Sequence, residues 1–107
     1  MIDWSHQRCF EDVNVGDEVA PHSIPLTVQR MVMEAGANRD FAPIHHNREI
    51  AQAGGAPDMY VNTYFIQMFY EVTLRKWLGL DGRLLKLGFR MLQFNCAGDV
   101  KIGRAHV

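Results

Sequence analysis

The sequence has few cysteines and no excess of charge of either sign. Two cysteines, Cys9 and Cys96, occur in 107 residues, which is too few for a disulfide framework and gives no C-x-x-C spacing. The 11 basic and 12 acidic residues nearly cancel, so the composition carries no electrostatic signature of nucleic-acid binding. We therefore expect a protein of the reducing cytoplasm, with no bound metal and no nucleic-acid partner.

A long uninterrupted apolar run is also absent. The most apolar segment, residues 64–78, is interrupted by one amide and three charged side chains, which a membrane-spanning helix rarely carries. Residues 1–10, MIDWSHQRCF, have neither the basic region nor the apolar core of a signal peptide. We expect no association with a membrane.

The chain length suits one domain, and two short helices are predicted in its first half. Thr27 is a suitable N-cap for a helix that ends near Gly36. Asn47 is a suitable N-cap for a shorter helix that ends at Ala53, before a Gly-Gly break.

The longest predicted helix covers residues 63–78, with Asn62 or Thr63 as its cap. Its apolar side chains occupy most of the circumference instead of one stripe. Such a helix needs other structure on nearly all sides.

Two segments have strand character. Residues 18–27 contain Pro21 and Pro25, which predict an edge or irregular strand. Residues 83–94, RLLKLGFRMLQF, alternate apolar and polar side chains and predict the best-defined strand of the chain. The turn at residues 97–99 should then open a hairpin into a further strand, which the sequence does not supply.

The last residues, 102–107, read IGRAHV and resemble the in-frame translation of a common sequencing adapter. We therefore predict one domain over residues 1–101, incomplete at its C-terminal strands, followed by a non-native read-through tail over residues 102–107.

A carboxylate and an imidazole lie five residues apart in one predicted loop, at Asp40 and His45, with Pro43 between them. Two interpretations are open from these residues alone. Asp40 is a turn-forming residue and His45 is incidental, or the two side chains handle a proton together, a task that suits an imidazole near neutral pH.

The same loop resembles the hydratase motif of the MaoC-like (R)-specific enoyl-CoA hydratase/dehydratase family. That motif is D-x-N-P-[LIV]-H, followed by five residues and a small one. The resemblance covers residues 10–100, including FEDVNVGDEV and LGFRMLQFNCAGDV. The motif positions matched in register are Asp40, Pro43, Ile44, His45 and Ala51.

The resemblance implies an α+β hot-dog fold, in which an antiparallel sheet wraps a long central helix and the acyl thioester lies in a tunnel beside it. It implies hydration of a trans-2-enoyl-CoA to the 3-hydroxyacyl thioester, with Asp40 and His45 activating water and transferring protons. Coenzyme A is then part of the substrate, and no separate cofactor is expected. Backbone N–H groups near Asn62, at the start of the central helix, are expected to hold the enolate oxygen.

The sequence departs from the family pattern at three places. Ala42 stands where the motif has Asn, which removes a polar group that could orient the acid or the water. Arg39 stands where Gly is frequent, and Val61 and Asn62 replace a His-Gly pair at the start of the central helix. Tyr70 lies near a position that is small and polar in related enzymes, so Val61, Asn62 and Tyr70 are candidate substrate-binding residues.

This combination resembles the dyad-bearing small subunit of heteromeric hydratases that act on steroid side-chain CoA thioesters. The resemblance implies a homodimer, or a heteromer with another MaoC-like chain. Two alternatives stay open: a hot-dog thioesterase, which would not need His45 at this spacing, and a non-catalytic partner subunit of a heteromeric hydratase.

Overall fold

The computed structural model describes residues 3–107, and within them no helix is both long and apolar enough to cross a membrane. These described residues form two strands and three α-helices, with 3₁₀ turns at Phe10–Asp12 and Pro43–His45. In chain order the elements are β1 (Glu18–Pro25), α1 (Val28–Ala37), α2 (Arg48–Ala53), α3 (Thr63–Leu78) and β2 (Val100–His106).

The three helices begin where the sequence predicts. Thr27, Asn47 and Asn62 each accept a hydrogen bond in the side chain from the backbone N–H three residues later. These caps satisfy donors that the first helical turn leaves without a partner. The central helix α3 ends at Gly79, whose φ of 100° is a left-handed value that glycine adopts readily.

The two strands form one antiparallel sheet, with Glu18 opposite His106 and Pro25 opposite Val100. The register shifts once within the first half of β1. Helix α3 packs against both strands, so the sheet lies against the long helix as the hot-dog expectation requires. The predicted α+β class and hot-dog architecture are confirmed.

Residues 102–106 belong to β2, the strand that packs on the core. Gly103 is buried, and any side chain at this position would collide with the ring of Phe69. The domain boundary predicted after residue 101 falls within this strand, and it stays a prediction. The read-through origin of residues 102–107 stays a prediction.

The strand predicted for residues 83–94 is not formed. Along residues 3–107 no backbone hydrogen bond joins this segment to another part of the chain, although an isolated bridge pairs Tyr60 with Cys96 just beyond it. Alternation alone does not make a strand, because the backbone also needs a hydrogen-bonding partner. The predicted hairpin is wrong for a related reason, since the chain after the turn at residues 97–99 pairs with β1.

Helix α3 is covered on one side only in this chain, which agrees with the prediction that the sheet around it is incomplete. Phe65, Ile66, Phe69 and Thr73 are buried along one face. On the other side Tyr64 is 60% exposed. The helix therefore has one face in the core and one open to solvent.

The segment over residues 83–94 exposes large apolar side chains: Leu85, Met91, Leu92 and Phe94. Because such surfaces favour association, we expect the 107-residue chain to self-associate as its concentration rises. Sedimentation velocity over a concentration series measures this, and the double variant Leu85→Lys, Leu92→Lys should reduce it. A protein that stays monomeric at every concentration would contradict this expectation.

Candidate active site

The C-terminal end of α1 positions Asp40. The Arg39 N–H donates to the Gly36 carbonyl at 3.0 Å, and the Asp40 N–H donates to the Ala35 carbonyl at 2.9 Å. These two bonds form a Schellman motif, which usually has Gly at the left-handed position. Arg39 holds that position with a φ of 56°. Arg39 thus adopts a backbone conformation that Gly adopts more readily.

His45 lies at the end of the 3₁₀ turn Pro43–His45 and is buried. Its Nδ1 is 2.7 Å from the carbonyl oxygen of Tyr60, and its ring packs edge-on against the Tyr60 ring. A carbonyl oxygen only accepts hydrogen bonds, so Nδ1 must be the donor and carry a hydrogen. This contact leaves Nε2 as the nitrogen available for chemistry.

The structure brings the two motif side chains together. His45 Nε2 lies 3.3 Å from Asp40 Oδ2. Both line a cleft of about 510 Å³, together with the start of α3 and residues 91–95. The predicted substrate-binding residues Val61 and Asn62 line the same cleft.

Asn62 connects Asp40 to the start of α3. Its Oδ1 accepts from the Phe65 N–H at 2.8 Å, and its Nδ2 donates to Asp40 Oδ2 at 3.0 Å. The bond from Asn62 is the largest effect on the pKa of Asp40 and lowers it below its ordinary value. Burial acts in the opposite direction, and the Ala42 N–H and the charge of His45 add smaller lowering effects. Asp40 is therefore held as a carboxylate.

Tyr70 lies apart from the Asp40 and His45 side chains. It lines an adjoining cavity of about 320 Å³ with Arg90 and Lys101. The Lys101 ammonium lies 5.5 Å from the centre of the Tyr70 ring, and the Phe89 ring lies 5.7 Å away. The two cavities share part of the wall formed by residues 91–95.

Glu34, a second carboxyl group close to the pair, was not predicted as a site residue. Burial raises the pKa of Glu34, and the negative charge of Asp40 acts in the same direction. In the sequence, Glu34 is visible only as an acidic residue in the last turns of α1. The chain reverses after this helix and places Asp40 beside it, so the closeness of the two carboxyl groups is recognisable only in the folded structure.

The start of α3 also presents backbone donors to the cleft. Across residues 3–107, the N–H groups of Thr63 and Tyr64 donate to no protein acceptor, and both residues line the cleft. N–H groups in the first turn of a helix favour negative charge on a ligand. In the part of the chain that the structure describes, no group of three or more His, Cys, Asp or Glu side chains could hold a metal ion.

Comparisons with known proteins support the fold described above and the resemblance to MaoC-like proteins. No family model matches the sequence, and no curated protein matches it. The chain is similar to a solved structure of the ChsH1-ChsH2 complex from Mycobacterium tuberculosis, with 25% identity and a TM-score of 0.79. That match covers 85% of this chain and 72% of the other.

A second solved structure, of a MaoC-like dehydratase, is 32% identical with a TM-score of 0.61. It matches 66% of this chain, which spans only 22% of that longer protein. The fold of this chain is similar to that of both structures, and these likenesses support the resemblance to the MaoC-like hot-dog family.

Proposed function

We propose that this protein hydrates a trans-2-enoyl-CoA to the 3-hydroxyacyl thioester, and catalyses the reverse dehydration. The observation that carries the proposal is the 3.3 Å approach of His45 Nε2 to Asp40 Oδ2 in the wall of the cleft, beside the start of α3. The finding that the fold is shared with a MaoC-like dehydratase supports the same reaction class.

The hydrogen-bonding state of the pair suits one bound water. In the neutral imidazole Nδ1 carries the hydrogen donated to Tyr60, so Nε2 is an acceptor. The Asp40 carboxylate is also an acceptor. A water that donates one hydrogen to each group satisfies both, and its oxygen lone pair is then free to attack C3 of the enoyl thioester. As the C3–O bond forms, the water proton passes to the pair, which returns a proton to C2.

The thioester oxygen gains negative charge as C3 is attacked. In the proposed complex it accepts hydrogen bonds from the N–H groups of Thr63 and Tyr64, which line the same cleft. Donors fixed at the start of a helix stabilise such charge without reorganisation during the reaction. Coenzyme A belongs to the substrate, so the proposal requires no separate cofactor.

The direct test is to incubate the purified chain with a panel of enoyl-CoA esters. Loss of the enoyl absorbance measures hydration, and mass analysis identifies the product. Hydration adds one water without releasing coenzyme A, whereas a thioesterase releases the free thiol. A thiol-reactive dye therefore separates the two functions. Release of coenzyme A without a 3-hydroxyacyl product would overturn the proposal.

Substrate size is expected to favour bulky or branched acyl groups over the four-carbon crotonyl group. The cleft beside Asp40 adjoins the cavity at Tyr70, and the sequence there resembles hydratases of steroid side chains. We expect kcat/KM for crotonyl-CoA to be about tenfold lower than for a bulky enoyl-CoA, the size of a modest difference in pocket filling. A preference for crotonyl-CoA would contradict the size prediction and leave the hydratase proposal intact.

Assembly and location are part of the same proposal. We expect a homodimer or a heteromer with another MaoC-like chain, acting in the cytoplasm. The similarity to a chain of a two-protein complex and the exposed apolar side chains of residues 83–94 support an assembled state.

A further inference from the structure

We propose that Asn62 is a positioning residue that supplies the side-chain amide missing from the motif at Ala42. The family pattern has Asn at the position of Ala42, two residues after Asp40. Here the only contact from Ala42 to the acid is its backbone N–H, 3.3 Å from Asp40 Oδ1. Asn62 places an amide Nδ2 at 3.0 Å from Asp40 Oδ2, from the other side of the cleft.

The orientation of the Asn62 amide is fixed by its two partners. Oδ1 faces the backbone N–H of Phe65, which only donates, and Nδ2 faces the carboxylate of Asp40, which only accepts. Exchanging the two ends of the amide would oppose like groups at both contacts. The side chain is only 4% exposed, so water does not replace either partner easily.

This arrangement ties the acid to the helix that holds the thioester oxygen. Asp40 Oδ2 receives Asn62 Nδ2 and also faces His45 Nε2. Asn62 therefore fixes which oxygen of the carboxylate meets the imidazole, and it does so from the cap of α3. Two other titratable groups lie close to Asp40. The charge of His45 acts on Asp40, and the charges of both Asp40 and His45 act on Glu34.

The role of Asn62 in catalysis rests on the proposed hydratase function, whereas its bond to Asp40 does not. Two measurements on the whole chain separate them: steady-state hydration of an enoyl-CoA, and titration of the Asp40 side-chain carboxyl by carbon-13 NMR. The first reads the reaction, and the second reads the bond without any substrate.

The main variant is Asn62→Ser, which keeps an N-cap oxygen for α3 but is too short to reach Asp40. We expect kcat to fall about 10- to 100-fold with KM changed less than about threefold. We also expect the Asp40 titration midpoint to rise, because the carboxylate loses a hydrogen bond. Should Asn62→Ser fail to fold, Asn62→Asp keeps both the cap and the length but cannot donate to Asp40, and its midpoint should rise further.

The matched control is Asn47→Ser, because Asn47 caps α2 through the Ile50 N–H but has no contact with Asp40. It should change neither kcat nor the Asp40 midpoint. In the Asn62→Ser background, Ala42→Asn restores the motif amide and should recover about tenfold in kcat. If Asn62 only stabilised the fold, an amide introduced at position 42, outside α3, would not restore kcat.

The outcomes are distinct. Unchanged kcat in Asn62→Ser, in a chain that Asp40→Asn inactivates, would overturn the positioning role and leave the hydratase proposal standing. Absence of hydration by the unmodified chain would overturn the hydratase proposal instead, and the titration would then decide the role of Asn62. An Asp40 midpoint equal in the unmodified chain and Asn62→Ser would refute the bond itself.

Discussion

Replacement Asp40→Asn is expected to lower the rate of enoyl-CoA hydration by about 10²- to 10⁴-fold, the usual contribution of a general acid-base group. The substitution keeps the size of the side chain and leaves an oxygen that can still accept from Asn62. It removes the negative charge that accepts the water hydrogen next to His45, 3.3 Å away. Initial rates at saturating enoyl-CoA measure the loss, and circular dichroism checks that the fold is unchanged.

His45→Ala should cause a loss of similar size, and the adjacent histidine provides a matched control. His46 is exposed and follows His45 in the same turn, so His46→Ala removes an imidazole from the same loop without touching Asp40. It should retain hydration close to that of the unmodified chain. Near-unmodified rates for both Asp40→Asn and His45→Ala would falsify the catalytic assignment.

Phe69→Ala is expected to cost about 3–5 kcal/mol in the free energy of unfolding, the range for deleting a buried aromatic ring. The Phe69 side chain is only 2% exposed, lies against Gly103 of β2, and stacks with His22 of β1 at 5.3 Å between ring centres. It therefore joins the helix to both strands. Small domains are stable by about 5–15 kcal/mol, so this loss is a large fraction of the total stability.

The control for this loss is Met68→Ala, one residue away on the exposed side of α3, where the side chain is 46% exposed. It should change the free energy of unfolding by less than about 1 kcal/mol. Urea titrations followed by circular dichroism compare the two. Equal costs for Phe69→Ala and Met68→Ala would mean that the sheet does not pack on this face of α3.

The helices were predictable because their signals are local. Each N-cap and the residues that it satisfies lie within one turn of chain, so Thr27, Asn47 and Asn62 could be read directly. Strand pairing carries no such local signal. Residues 83–94 have the alternation of a strand but no partner backbone, whereas residues 100–106, without a strong pattern, pair with β1. In both segments, the presence or absence of a partner strand decided whether a strand formed.

The two motif residues of the candidate site could be predicted for the same reason. Asp40 and His45 are separated by one turn, and a short loop containing Pro43 brings them together. The bond from Asn62 could not be predicted, because it joins residues from two elements whose relative position is fixed only by packing. Tyr70 shows that two residues of one element need not share a site. It lies on α3, the helix that Asn62 caps, but it lines a different cavity.

The pairing of β1 with β2 has a consequence for the order of folding. The two strands are separated by roughly 75 residues of chain or more, and contacts between such distant residues form slowly because a long loop must close first. Asp40, His45 and the start of α3 lie within a much shorter stretch, joined by bonds such as His45 to Tyr60. We therefore expect amide protection in a pulse-labelling experiment to arise first around this stretch and last in the sheet. On a ribosome, β1 would remain without its partner until residues 100–106 had been made.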